Sequence, residues 1–444
     1  MKDEEQAGHP RARKRVIVVG AGAAGTMAAI FAAGAGADTL LVERTRDGGR
    51  KILISGGGRC NVLPARLDET RFVTDSSPNL LRKLLRAWPL HEQREFFERT
   101  LGIPLKEETE SAKLFPVSNK ARDVRDGLLA HAVQQGVMLM METRVTGIAP
   151  TASGSWEVAV EHRTEGEEGL VETSREKLVA DAVIIATGGL SVPNTGSEGD
   201  GLRYLERLGH VMHPTYAALT PLTADSPELT ALSGVSLTVA LTARSSEAGT
   251  GSQNSASPAR VARGAGGFLF THRGYSGPSV LDISHVIVRA RAEGVAAKVQ
   301  VQWTALDDAA WEQALKPQGP RTVLGGLRTE LPDRLANTLA ALAGVDPGRA
   351  LSELRREERR RLIDILVRGE LPWNGDEGYK KAEVTGGGVA LGEVHPRTME
   401  SRRQPGLFLC GEVLDAFGPI GGYNFCWAWA TGRAAGLGAA ASQS

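Results

Sequence analysis

The stretch VIVVGAGAAGTMAAIFAAGAGADTLLVE, residues Val16 to Glu43, decides the fold. Val16–Val19 is a short, wholly apolar, β-branched run ended by glycine, the pattern of a buried parallel strand. Residues Thr26–Ala35 form an alanine-rich helix, and Thr39–Val42 a second apolar strand that stops at Glu43. A strand–helix–strand unit of this length is what a right-handed parallel crossover needs. The turn between the first strand and the helix reads Gly20-Ala21-Gly22-Ala23-Ala24-Gly25. The first glycine permits a tight turn, the second lets backbone approach a pyrophosphate, and the third lets helix and strand pack closely. The helix N-terminus then offers amide donors to an anion. Glu43 follows Gly22 by 21 residues, where an acid binds the hydroxyls of an unphosphorylated ribose, so the spacing points to FAD or NAD before NADP.

The same stretch imitates a membrane signal, because it carries no charge between Val16 and Ala37 and follows Arg11, Arg13, Lys14 and Arg15. Its five glycines break it into strand, turn and helix, so no spanning segment is expected. The remaining composition bounds the function. The chain has 444 residues, enough for more than one domain, and balances 52 basic against 52 acidic side chains. That balance excludes a whole-protein basic field and leaves room for a local patch. Three cysteines, Cys60, Cys410 and Cys426, are too few and too widely spaced for a disulfide scaffold, which suggests a reducing, cytoplasmic setting. No metal site is expected.

Further glycine turns lie downstream. Arg50-Lys51-Ile-Leu-Ile-Ser55-Gly56-Gly57-Gly58-Arg59-Cys60-Asn61 sets two cations around a loop costly to order without a ligand. Ala186-Thr187-Gly188-Gly189 ends another buried strand, Ala182–Ala186. Leu407–Cys410 is again a strand, followed by Gly411-Glu412, Asp415, Gly418 and Gly421-Gly422-Tyr423-Asn424 at the start of a closing helix. Each motif alone also reads as a plain structural turn. Four of them spread from residue 20 to 424 describe a long cofactor crossed by both chain ends, which suits FAD better than NAD.

The segments KILISGGGRCN, TGGLSVPNTGSEGDG, GGFLFTHRGYSGPSVLDIS, VTGGGV with TMESR, and GEVLDAFGPIGGYN resemble the BaiN/RdsA/aminoacetone-oxidase family of FAD-dependent oxidoreductases. The resemblance runs in order from about Val16 to Gly438. It implies an α/β fold: a Rossmann-type FAD-binding domain made from both chain ends, interrupted by an insert with a β-barrel part and a small helical part. The expected boundaries are a disordered tail at 1–13, the first part of the FAD-binding domain at 14–195, a β-rich insert at 196–304, a helical insert at 305–372, and a return to the β insert and the C-terminal part of the FAD-binding domain at 373–444. The implied cofactor contacts are Gly20, Gly22, Ala23, Ala24, Gly25, Glu43, Arg44, Lys51, Ser55, Gly56, Gly57, Arg59, Cys60, Asn61, Val145, Thr187, Gly188, Gly189, Gly411, Glu412, Gly421, Gly422, Tyr423 and Asn424. Two places depart from the family pattern: Leu63-Pro64 after the GRCN motif, and Ala112-Lys113-Leu114 before Phe115-Pro116.

The resemblance also frames the reaction. Known activities of the family include reduction of a steroid-type enone, oxidation of a small amine, and reduction of uridine to dihydrouridine in large-subunit ribosomal RNA. The expectation here is hydride transfer from reduced flavin to a conjugated C=C bond, with NAD(P)H refilling the flavin and Cys60, His272 or water supplying the proton. Tyr275 and Tyr423 are weaker candidates. The alternatives are a flavin amine oxidase acting on a small amine, and a non-catalytic flavin- or RNA-binding assembly factor. An Arg-rich segment, Arg355, Arg356, Arg359, Arg360 and Arg361 interleaved with glutamates, reads either as an ion-paired helix face or as an RNA contact. Substrate and oligomeric state stay open.

Overall fold

A computed structural model describes residues 13–165, 171–247 and 259–441. The expected N-terminal tail and most of the Ser/Gly-rich stretch 245–257 lie outside the described residues. The chain forms two compact units, one from residues 1–215 and 387–444, the other from 216–386.

The first unit begins with β1 (Arg15–Val19), α1 (Ala23–Gly34) and β2 (Asp38–Val42). β1 and β2 run parallel, pairing Val16 with Thr39 and Val19 with Val42. Val16, Ile17 and Val18 are wholly buried, each contributing roughly 1.5–3 kcal/mol of transfer energy. The helix starts three residues earlier than the sequence suggests, because Gly22 serves as its N-cap. The chain continues through α2 (Arg50–Ile54), α3 (Pro78–Leu85), α4 (Ala121–Gln134), and β3 (Met138–Met140), which pairs parallel to β2. β4 (Thr143–Pro150), β5 (Trp156–Glu165) and β6 (Val171–Ala180) form an antiparallel three-stranded sheet. β7 (Ala182–Ile185) then pairs with the other side of β1, and α5 (Asp200–Arg207) follows. The Tyr204 hydroxyl donates to the Val145 carbonyl at 2.8 Å and Leu205 is fully buried. Those contacts tie α5 to this unit, so the boundary falls at 215 and not at 195.

The second unit contains β8 (Leu222–Thr223), β9 (Ser236–Ser245), β10 (Val261–Thr271), β11 (Gly274–Ser276), α6 (Pro278–Glu293) and β12 (Ala297–Gln302). Helices α7 (Asp308–Ala314), α8 (Asp333–Leu342) and α9 (Arg356–Arg368) follow, then β13 (Gly369–Leu371) and β14 (Gly375–Asp376). The strands make one antiparallel sheet in the order β13-β12-β9-β10-β11-β8-β14. Val239, Phe268, Phe270 and Val299 of this sheet share one core with Val286 of α6, Trp311 of α7, Leu335 of α8 and Leu366 of α9. The β and helical parts are therefore built on a common apolar interior.

The chain returns to the first unit with β15 (Leu407–Leu409), which adds beside β7, completing a parallel sheet in the order β15-β7-β1-β2-β3. The last helix, α10 (Tyr423–Ala440), lies against α1 through small residues. A Cβ on Gly432 would stand 2.4 Å from the Ala24 carbonyl oxygen, and one on Gly436 would stand 2.2 Å from that of Ala28. This close helix packing explains why both ends of the sequence are so rich in alanine and glycine.

Candidate functional site

The Gly20–Gly25 turn divides its glycines by what surrounds them. Gly20 has a positive φ of 102°, and a Cβ there would lie 2.7 Å from the Ala186 carbonyl oxygen. A Cβ on Gly25 would lie 1.8 Å from the Gly20 carbonyl oxygen. Both are glycine for internal packing. Gly22 is different: among the described residues nothing lies within 4 Å of the position a Cβ would take, and its φ of −78° suits any residue. No side chain caps α1 and no acid sits in its first turn. An open cradle over an uncapped helix N-terminus fits an anionic diphosphate.

Glu43, nearly buried, closes the cradle. Its Oε2 accepts from the Ala21 amide at 2.8 Å, while Oε1 accepts from the amide and hydroxyl of Thr45 at 2.8 and 2.7 Å. A carboxylate has about four acceptor positions, so these three bonds leave room on Oε2 for a ribose hydroxyl. Arg44 pairs with Glu198 at 2.8 Å.

A second cluster joins three loops. Lys51 Nζ donates to Ser191 Oγ and to Glu412 Oε2, both at 2.7 Å, and Ser191 Oγ donates to Glu412 Oε1 at 2.7 Å. This triangle locks α2 to the turns that follow β7 and β15. Ser191 was not expected as a site residue; its only signal in the sequence is its place two positions after Gly189. Gly188 and Gly411 hold left-handed turns, φ 72° and 75°. The Gly411 turn is fixed by α10, its amide donating to Thr431 Oγ1 at 3.0 Å and its carbonyl accepting from Trp427 Nε1 at 3.1 Å. Thr187 lies between β7 and Gly188, against α5, where a Cβ on Gly201 would stand 2.1 Å from its hydroxyl. Val145, buried, sits on β4 at a bulge.

The glycine loop after α2 is exposed at Gly56, Gly57 and Gly58, all left-handed. Ser55 Oγ donates to the Ile52 carbonyl. Arg59 lies over the Phe115 ring, 4.1 Å from its centroid, and bonds Glu108 at 2.8 Å. Cys60 is left-handed, φ 60°, a conformation that costs a non-glycine residue about 1–2 kcal/mol. It is fully enclosed, and burial pushes its thiol up to about 12, so the group stays protonated at neutral pH. All three cysteines are free and buried.

The two departures from the family pattern meet. Leu63 pairs with Leu114 and Pro64 with Lys113 in a small antiparallel sheet. That sheet abuts the C-terminal loop: a Cβ on Gly422 would stand 2.5 Å from the Leu63 carbonyl carbon, and one on Gly421 would stand 3.2 Å from Lys113 Cε. Asn424 turns back on its own loop, bonding the amide and carbonyl of Gly418 at 2.9 and 3.0 Å. Tyr423 is buried against Phe72, 5.6 Å between ring centroids. Asp415, 2% exposed, anchors the neighbouring loop: its Oδ2 accepts from the Asp75 and Ser76 amides and from both Thr74 and Ser76 hydroxyls, at 2.8 to 2.9 Å. Burial raises its carboxyl above the ordinary range, partly offset by the Ser76 and Thr74 bonds and by His213, 3.6 Å away.

His272 belongs to the second unit. It is exposed at the β10–β11 turn, 3.5 Å from Ser233 Oγ, and lines a cavity of about 440 Å³ with Arg273, Arg291, Asn374 and Asp376. Tyr275 is buried in that unit's aromatic core, where burial raises its phenol. On the Arg-rich helix α9, Arg359 pairs with Glu312 and Arg368 with Asp308 and Asp364, while Glu358 pairs with Arg349 outside the helix.

Comparison with known proteins closes the question of family. The family described as the HI0933-like protein Rossmann domain matches residues 14–438. The chain belongs to this family. It is 33% identical, over 94% of its length and 95% of the relative's, to a ribosomal RNA dihydrouridine synthase of Escherichia coli K12. It is 30% identical to a 3-dehydro-bile acid delta(4,6)-reductase of Clostridium scindens, covering 96% of this chain and 99% of that one. Among solved structures, a 3-ketosteroid delta1-dehydrogenase from Sterolibacterium denitrificans has the same fold, with a TM-score of 0.52 at 12% identity, covering 96% of this chain and 99% of that one. The chain is an enzyme, an oxidoreductase of a FAD-dependent family. Among the described residues no helix is long and apolar enough to cross a membrane.

Proposed function

We propose that this protein is a FAD-dependent, NAD(P)H-driven reductase that saturates a conjugated C=C bond, with uridine in large-subunit ribosomal RNA as substrate. The observation that carries the cofactor assignment is the open cradle at Gly22 over the uncapped N-terminus of α1, with Glu43 beside it. FAD, when bound, supplies the hydride transfer. Gly22 and the first amides of α1 hold the diphosphate, and Glu43 takes a ribose hydroxyl on Oε2. Lys51, Ser191 and Glu412 fix the loops that flank the ribityl and ring portions, leaving Glu412 as the hydroxyl acceptor. The N-terminus of α10, uncapped by any side chain, supports negative charge on the ring side.

The substrate assignment rests on similarity to the dihydrouridine synthase over nearly the whole chain. A ribosomal RNA substrate goes with a reaction in the cytoplasm, where ribosomes are. The bile-acid reductase supports a second reading, a free enone, which needs the same bond chemistry. Anaerobic mixing of the FAD-loaded protein with NADH or NADPH tests the donor: bleaching of the flavin band is expected, and a band that persists with both refutes it. Adding unmodified ribosomal RNA or a steroid enone to the reduced protein then separates the substrates by which one restores the oxidised spectrum. Peroxide release with small amines supports the oxidase alternative instead. A chain that binds FAD and is never reduced fits an assembly factor.

A further inference from the structure

The first unit carries a basic hollow outside the cofactor cradle. A cavity of about 500 Å³ is lined by Arg82, Lys83, Arg86 and Arg397 together with Asn79, Ala87 and Pro396, so four of its seven lining residues are cationic and none is acidic. α3 explains one wall. Its Leu81, Leu84 and Leu85 are buried, which turns Arg82, Lys83 and Arg86 outward. Arg86 is neutralised by a two-pronged bond to Glu69, but among the described residues Arg82, Lys83 and Arg397 form no ion pair. Arg82 is held by the Pro78 carbonyl and the Asn79 side chain, contacts that orient the guanidinium without cancelling its charge. Arg397 stands on a tight turn closed by the Met399 amide on the His395 carbonyl at 2.8 Å, with Met399 buried and left-handed. Three such cations converge on one hollow from two walls of the fold.

The hollow is wired to the cofactor loops. Asp415 grips residues 74–76, directly before α3, and Ser76 Oγ in turn accepts from the Leu391 amide at 2.9 Å, six residues before Arg397. Both walls therefore start from the Asp415 anchor. We propose that this hollow docks the phosphate backbone of an RNA substrate, holding it by Arg82, Lys83 and Arg397 while the nucleoside to be reduced is presented elsewhere on the strand. The inference rests on the ribosomal RNA reading above. It adds α3 and the 395–399 turn to the Arg-rich segment as an RNA contact. Arg82, already oriented by its own helix, loses little freedom on binding, and phosphate contacts position a nucleic acid without reading its sequence.

The test compares the full-length FAD-loaded protein with its Arg82→Gln/Lys83→Gln/Arg397→Gln variant, using in vitro transcribed large-subunit ribosomal RNA as probe. FAD content and thermal midpoint check that the variant is folded. Loss of three phosphate contacts is expected to weaken binding roughly 10- to 100-fold near 0.1 M salt and to lower the log–log salt slope by about 2. Dihydrouridine formation should show a raised KM and an unchanged kcat. Unchanged affinity and salt slope overturn the proposal, as does equal loss of binding to polyglutamate, which marks a dock for acidic proteins. If the wild-type chain makes dihydrouridine and the variant matches it, only the docking surface is wrong. If neither makes it, the substrate reading fails first.

Discussion

Gly22 and Gly25 stand three residues apart in one motif, and the structure assigns them opposite consequences. Alanine at Gly25 drives its Cβ to 1.8 Å from the Gly20 carbonyl oxygen, so backbone must move and about 1–3 kcal/mol of stability is lost. Alanine at Gly22 meets nothing within 4 Å and adopts the existing φ of −78° without strain. Its small loss as an N-cap is offset by reduced freedom of the unfolded chain, for a net change within about 0.5 kcal/mol. The new methyl instead fills the space through which a diphosphate reaches the amides of α1. Forfeiting one or two charge-assisted hydrogen bonds costs ~1.5–3 kcal/mol each, or at least tenfold in FAD affinity. Urea unfolding of the apoproteins, paired with FAD titration followed by quenching of flavin fluorescence, separates the two effects. Gly22→Ala should unfold like wild type and bind FAD weakly. A Gly22→Ala protein that binds FAD with wild-type affinity, or that loses as much stability as Gly25→Ala, refutes the cradle.

Glu43→Ala leaves the buried Ala21 amide without its acceptor and should lower the urea unfolding free energy by ~1–3 kcal/mol while weakening FAD binding; a neutral result contradicts the role given to Glu43. A double-mutant cycle of Lys51→Met and Glu412→Gln should give a coupling of ~1–3 kcal/mol by urea melts, because one salt bridge and a shared serine link them; additive effects count against the triangle. Asp415 gives a pH signature. Its carboxyl is raised in the fold, so the folded chain binds the proton more tightly than the unfolded one, and stability falls as pH climbs from about 4 through the folded value. Asp415→Asn should flatten that fall in urea midpoints measured against pH; an unaltered slope assigns the dependence to another group.

The Rossmann core was legible because its signals are local. Glycine spacing, β-branched runs and the terminal acid all lie within Val16–Glu43, and β1, α1 and β2 form there with shifts of a few residues. Pro89 separates α3 from a short helix at Leu90–Glu95, since proline cannot continue the first. α6 was missed, because Val280–Val288 is rich in β-branched residues and lay in a segment otherwise read as strands. Its signals were Pro278 in the first turn and Gly294 at the left-handed C-terminus, both easily taken for a corner. Ser191 falls within the TGGLSVPNTGSEGDG segment, but its bonding was not legible. Its role depends on Lys51 and Glu412, 140 and 221 positions away, which no spacing rule connects. The sequence reads the amides near Gly422 and Asn424 as facing the ligand; that the Asn424 side chain turns back onto Gly418 shows only in the fold. The basic hollow was invisible for the same reason as Ser191, since α3 and the 395–399 turn meet only in the fold.

Nucleoside mass spectrometry of large-subunit ribosomal RNA, from strains with and without the gene, tests the central claim most directly. The account predicts dihydrouridine in the parent strain, its loss on deletion, and its return with the wild-type gene but not with Gly22→Ala. Dihydrouridine that persists at the parental level after deletion contradicts it.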